Sequence, residues 1–244
     1  MPPPLPADSI YTSCYCEENI YILAQAFASK AEADADWPWQ VFAVFISNHG
    51  KTVALWSQKA REDVVVWDYH VILVLRSRDH MQSKEQDPAQ REDGEQQAEA
   101  AEDAWVYDFD TRLPVPSRWI DYVSNTFRYV FDGALFRVVP AAAYLDYFAS
   151  DRSHMLKHAA GIEPYYSNPP PSYAILCGKR AKELGITNNL MDAYVSMMLR
   201  KQPPLEPEIR RTHGSAEPAN PYGEVMSMSE FIGWLAGDIR EDAQ

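Results

Sequence analysis

Cysteine is scarce in this chain, with three in 244 residues. So small and odd a number argues against a disulfide framework and fits a reducing intracellular compartment, so a cytoplasmic location is expected, with the nucleus second. Long apolar runs are lacking too. The longest, such as VFAVFI at 41–46, fall far short of the ~20 residues a membrane helix needs. The opening MPPPLPADS has neither a basic region nor an apolar stretch, so no secretory signal is expected. Positive charge is in deficit: 22 Lys and Arg against 35 acids leave −13, which disfavours nucleic acid and anionic membrane as partners. No repeat of fixed period is present. The cysteines lack the spacing of a zinc knuckle, and His154 and His158 have no cysteine pair to match them, so the spacing disfavours a zinc site.

What the chain does have is apolar content of 46% and aromatic content of 12%, enough for one sizeable core. A single domain over 1–244 is expected, with two insertions. Residues 79–103 hold nine acids and two bases, more than half of the net charge, and no aromatic or β-branched residue. This segment reads as a disordered, solvated loop. The stretch around 172–215 is rich in proline and reads as irregular.

Between these lie periodic segments. EENIYILAQAFASK (17–30) carries Ile20, Leu23, Ala24 and Phe27 at helical spacing. QVFAVFIS (40–47), TVALW (52–56), VVVWDYHVILVLRS (64–77), AWVYDFDT (104–111) and LFRVVP (135–140) read as strands. Helices are expected over 117–131, 141–150, 187–201 and from Ser227. The fold class is α+β, with a mostly antiparallel sheet flanked by helices.

Two of the cysteines stand one residue apart, in YTSCYCEEN. A disulfide between Cys14 and Cys16 would close a small, strained ring. Two buried thiols, a metal site and a nucleophile remain. The nucleophile reading has a physical basis at Cys16, which sits at a helix start. There the dipole lowers a thiol pKa, and unpaired backbone N–H groups can receive an oxyanion. A thiol nucleophile needs a base, and the base an orienting group. Of six histidines only His70 lies within a dense apolar strand. Asp68 shares its strand face, and the next strand carries Asp108 and Asp110 on one face. The pattern leaves all three acids as candidate orienters.

The strings YTSCYCEEN, AVFISN, WDYHVIL, YDFDT, FASDRSHM and the late SMSEF together resemble the protein N-terminal glutamine amidohydrolase family. The resemblance implies a papain- or transglutaminase-like core with the nucleophile on an N-terminal helix. It implies deamidation of the N-terminal glutamine of proteins or peptides to glutamate, with release of ammonia through a thioester and with no metal or organic cofactor. By position, Cys16 becomes the nucleophile, His70 the base and Asp108 the orienter. It also implies a role in marking proteins for degradation. Partners are then proteins or peptides with a free N-terminal glutamine, and a monomer is the default. Such an enzyme must hold an α-amino group, for which Glu17, Glu18, Asp68 and Asp110 are candidates. Trp67, Tyr69 and Ser153 are further candidates for contact with substrate. The competing readings are a transglutaminase or cysteine protease on the same scaffold, and a non-catalytic interaction module.

Overall fold

The computed structural model describes residues 1–78, 104–128, 133–198 and 220–237. The acidic segment 79–103, and the part of 172–215 beyond residue 198, lie outside the described residues. The chain opens with helix α1 (Cys16–Ala33), followed by strands β1 (Trp39–Ser47), β2 (Val53–Leu55), β3 (Val65–Trp67), β4 (His70–Ser77), β5 (Ala104–Tyr107) and β6 (Ser117–Arg118). Helix α2 (Trp119–Thr126), strand β7 (Leu135–Pro140) and helix α3 (Ala141–Tyr147) come next. A 3₁₀ turn at Ser153–Met155 leads into the hairpin β8 (Leu156–Ala159) and β9 (Ile162–Tyr166). Helix α4 (Lys179–Glu183), a π-helical turn at Leu190–Val195, strand β10 (Glu224–Met226) and helix α5 (Met228–Leu235) complete the described chain.

Six strands form one sheet in the order β10-β7-β1-β4-β5-β6, and each adjacent pair runs antiparallel. Both faces are covered. Odd-numbered residues of β4 (Val71, Leu73, Leu75) pack with α1, α3 and the π-helical turn, through Leu23, Phe27, Tyr144 and Tyr194. Even-numbered residues (Ile72, Val74) pack with α2 and α5, through Trp119, Tyr122, Phe231 and Trp234. Burial on both faces is why β1 and β4 read as continuous apolar runs rather than alternating ones. Ser227 caps α5 by accepting from the Glu230 N–H, while Glu230 accepts in return from the Ser227 N–H. Among the described residues no helix is long and apolar enough to cross a membrane.

Three local differences from the expected elements bear on the site. The segment 64–77 is two strands, broken at Asp68 and Tyr69, and β3 pairs with β2 instead of joining the main sheet. The fifth strand ends at Tyr107, so Asp108 and Asp110 lie in the turn beyond it and not on a strand face. Residues 162–166, which are not among the strands expected from the sequence, form strand β9 of an exposed hairpin.

Candidate active site

The entry to α1 is built to hold Cys16 in place. Asn19 clasps Thr12 twice: its Oδ1 accepts the Thr12 N–H at 2.8 Å, and its Nδ2 donates to the Thr12 carbonyl at 2.9 Å. Cys14 takes a left-handed backbone (φ 66°) between them, and Tyr15 is fully buried. Cys16 is therefore the first helical residue and Cys14 a turn residue, its sulfur 3.7 Å from Ser13 Oγ. Neither is in a disulfide.

The register of β4 with β5 stops at Leu73↔Tyr107, which leaves the start of β4 without a ladder partner on that side. Into this gap come the Cys16 thiol and the turn after β5. The Val71 backbone N–H is directed at the Cys16 sulfur, and the carboxylates of Asp108 and Asp110 are close enough to act on it electrostatically. His70 is buried at the first position of β4, with Trp67 stacked on its ring at 6.0 Å and 17°. Its Nε2 lies 2.9 Å from Asp108 Oδ1. That pairing assigns the proton to Nε2 and leaves Nδ1 as the free ring nitrogen.

Asp108 is fully buried and saturated with donors. Its Oδ1 accepts from His70 and from the Asp110 N–H at 2.8 Å. Its Oδ2 accepts from Tyr122 Oη at 2.9 Å and Gln58 Nε2 at 3.3 Å. Burial alone would raise its pKa, but the His70 charge and these hydrogen bonds bring it below the usual carboxylate value. Burial likewise opposes the charged form of His70, and Asp108 outweighs it, so the imidazole is held above its ordinary value. Asp108, and not Asp68 or Asp110, is thus the acid on His70. Asp110 Oδ1 instead accepts from Tyr11 Oη at 2.6 Å. Asp68 is exposed, with Oδ1 on the Tyr69 N–H. Ligand atoms of His70, Asp108 and Asp110 lie within 4.8 Å of one another, a spacing compatible with a metal. The donors on Asp108 already account for that cluster.

The thiol differs from expectation. Burial pushes Cys16 well above the ordinary cysteine value, and the carboxylates of Glu17, Asp110 and Asp108 add to this, against the one favourable Val71 N–H. Desolvation and three acids outweigh the helix dipole, which was expected to lower it. These surroundings favour the thiol over the thiolate, and Glu17 Oε2 lies 3.7 Å from the sulfur.

The remaining candidates separate clearly. Glu18 is fully buried and grips Arg152, with Oε1 on Nε and Oε2 on the terminal nitrogen, both at 2.8 Å. Both its oxygens are taken. Ser153 is exposed and hydrogen-bonded to Asn188 at 2.9 Å. Glu17 is also fully buried: Oε2 accepts from Tyr69 Oη at 2.9 Å, and Oε1 has no hydrogen-bond partner. Burial raises its pKa to about 7, against the Tyr69 hydrogen bond and its own backbone N–H. His154 Nε2 stands 3.3 Å from Tyr69 Oη and 3.5 Å from Glu17 Oε1, and burial lowers its pKa. Gln58 and Tyr122, the second pair of donors on Asp108, were not foreseen. They carry no local motif, and only folding brings 58, 108 and 122 together.

A thiol at a helix start, an imidazole with one nitrogen free, and a saturated carboxylate on its other nitrogen are groups suited to acyl transfer through sulfur. Residues 11–235 match the family model of N-terminal glutamine amidase, and the chain belongs to that family. It is 32% identical over 230 residues to the protein N-terminal glutamine amidohydrolase of Bos taurus, covering 91% of this chain and 85% of that one. Against the protein of the same name from Drosophila grimshawi it is 37% identical over 237 residues, covering 93% and 88%.

Proposed function

We propose that this chain hydrolyses the side-chain amide of an N-terminal glutamine in proteins or peptides, with Cys16 as nucleophile, His70 as base and Asp108 as orienter. The observation that carries this reading is the buried His70–Asp108 pair beside a helix whose first residue is Cys16. Family membership supplies the substrate class.

In this mechanism His70 Nδ1 takes the thiol proton, and sulfur attacks the carboxamide carbon. Backbone N–H groups at the start of α1 stabilise the oxyanion. As the C–N bond breaks, the imidazolium returns the proton to the leaving nitrogen, and ammonia departs from a thioester. Water then attacks the thioester carbon, His70 accepts its proton, and the C–S bond breaks to give glutamate and regenerate the thiol. One water is consumed and one ammonia released. Asp108 holds the tautomer and stabilises the imidazolium in both halves.

Because Cys16 rests as the thiol, deprotonation belongs to the reaction itself and not to a standing ion pair. The order of Cys16, His70 and Asp108 in the chain supports a likeness to papain and transglutaminase cores. The reading further includes one catalytic domain over 1–244, an intracellular location and the entry of products into protein degradation.

The test uses a synthetic peptide beginning with glutamine, followed by ammonia release and by the deamidation mass shift. Asn-initiated, internal-Gln and N-acetylated peptides are expected to be inert. Amine incorporation would favour a transglutaminase and backbone cleavage a protease. Ammonia release that survives N-acetylation would refute the α-amine requirement.

A further inference from the structure

Four acids near the site are candidates to hold the substrate's α-ammonium, and their hydrogen bonding ranks them. Glu18 has both oxygens committed to Arg152. Asp110 accepts from Tyr11, and Asp68 is exposed and bound to the amide of Tyr69. Glu17 alone has a fully buried oxygen, Oε1, without a hydrogen-bond partner. A buried, unpaired carboxylate oxygen is costly, and its retention calls for an explanation. The imidazole of His154 lies against it, with Nε2 3.5 Å from Oε1, and its buried Nδ1 has no hydrogen-bond partner among the described residues.

Protonation follows from the contacts. Tyr69 Oη donates to Glu17 Oε2, so it accepts from His154 Nε2–H at 3.3 Å. His154 Nδ1 is then a bare acceptor. A buried carboxylate oxygen without a hydrogen-bond partner, beside a neutral imidazole, complements a cation with several N–H donors.

We infer that Glu17 Oε1, with the His154 imidazole as its neighbour, is the subsite for the α-ammonium of the substrate's first residue, and that Tyr69 positions Glu17 for it. This rests on the amidohydrolase reading above. The location suits it, since Glu17 Oε2 is 3.7 Å from the Cys16 sulfur, and in glutamine the α-nitrogen and the amide carbon are separated by a short chain. With a value of about 7, Glu17 is partly ionised in the empty site near neutral pH and more fully so once a cation arrives. The charge balance has a consequence for the nucleophile. In the empty site Glu17 disfavours a thiolate. A bound ammonium cancels that charge, so the correct substrate eases deprotonation of the thiol that attacks it.

The experiment compares a glutamine-initiated peptide with its des-amino analogue, identical except for the missing α-amine, in wild type, Glu17→Gln and Tyr69→Phe. Wild type is expected to prefer the amino peptide in kcat/KM by roughly a hundredfold, the scale of a buried charge pair. Glu17→Gln should bring the two substrates to near parity, with turnover of the amino peptide falling far more than that of the des-amino peptide. It should also speed alkylation of Cys16 by iodoacetamide, because a negative charge beside the sulfur is gone. A purely structural role would slow both substrates and the alkylation together.

If wild type releases no ammonia from the glutamine peptide, the amidohydrolase reading fails. If wild type is active but shows no preference, or if Glu17→Gln keeps the wild-type preference, the subsite is wrong. Should Glu17→Gln not fold, Tyr69→Phe decides, since it removes the hydroxyl that holds Glu17. A reduced preference in that variant supports the subsite, and an unchanged one overturns it.

Discussion

Replacing Asp108 by Asn tests the candidate site at its most connected residue. The carboxylate accepts four donors: His70 Nε2, the Asp110 N–H, Tyr122 Oη and Gln58 Nε2. An asparagine amide offers one acceptor oxygen and one donor NH₂, so one side of it must face donors. With NH₂ toward Tyr122 and Gln58, the tyrosine can turn and accept, but Gln58 Nε2 cannot. The His70 hydrogen bond then survives without its charge, a loss of about 1.5–3 kcal/mol, or roughly 10- to 150-fold in rate. With NH₂ toward His70, the imidazole must switch its proton to Nδ1, and the nitrogen needed by Cys16 can no longer accept. A wrong tautomer of this kind costs ~10⁴-fold in a Ser-His-Asp protease. The expected loss in kcat therefore lies between about 10- and 10⁴-fold. Asp110→Asn keeps an oxygen for Tyr11 and should cost less than about tenfold. Initial rates of ammonia release from a glutamine-initiated peptide measure both, and equal losses in the two variants would refute the assignment of Asp108.

The same pair has a pH signature in stability. His70 is raised on folding, so its contribution is complete below its unfolded value of about 6.5 and fades as pH rises through the higher folded value. Asp108 is lowered, so its contribution is complete above about 3.9 and fades as pH falls through the folded value. The difference in urea stability between wild type and Asp108→Asn should thus be largest near pH 5 to 6, and a difference that grows above pH 8 would contradict it. Cys16→Ser should abolish turnover while Cys14→Ser retains most of it, and peptide mapping after limited iodoacetamide treatment should find the mechanistically relevant label on Cys16. Tyr122→Phe removes one donor from Asp108 Oδ2; it should cost about 1–3 kcal/mol in urea denaturation and lower kcat more than it raises KM. Arg152→Ala leaves Glu18 buried and unpaired; about 3–5 kcal/mol of stability should be lost, read as a lowered urea midpoint.

Much of this was legible in the sequence where chemistry follows local pattern. The helix from Cys16 shows in the spacing of Ile20, Leu23 and Phe27, and β1, β4 and β7 show in their apolar runs. His70 stood out because a polar residue in such a run needs a partner. The identity of that partner was not legible from strand parity, because Asp108 reaches His70 from a turn and not from a ladder position. Glu17 and Glu18 look alike in a string, as first-turn acids. Only a contact with Arg152, 134 positions away, makes one structural and leaves the other with a free oxygen. The direction of the Cys16 pKa was misjudged for a similar reason. A helix start is a local feature, whereas desolvation and neighbouring acids are set by the whole fold.

The break between β3 and β4 explains why the site stands where it does. His70 belongs to the even-numbered residues of β4, whose side chains face α2 and α5, whereas Cys16 and Glu17 come from α1 in the opposite layer. A paired sheet separates those layers, because its backbone is sealed by ladder hydrogen bonds. The two can meet only where the ladder stops, and it stops beyond Leu73↔Tyr107. There β4 begins at His70, β5 turns away at Asp108, and the helix start of α1 closes on the gap. The strands are therefore short on that side for a reason. Two more paired residues on β5 would set Phe109 opposite Val71 and cover the Val71 N–H that now meets the sulfur.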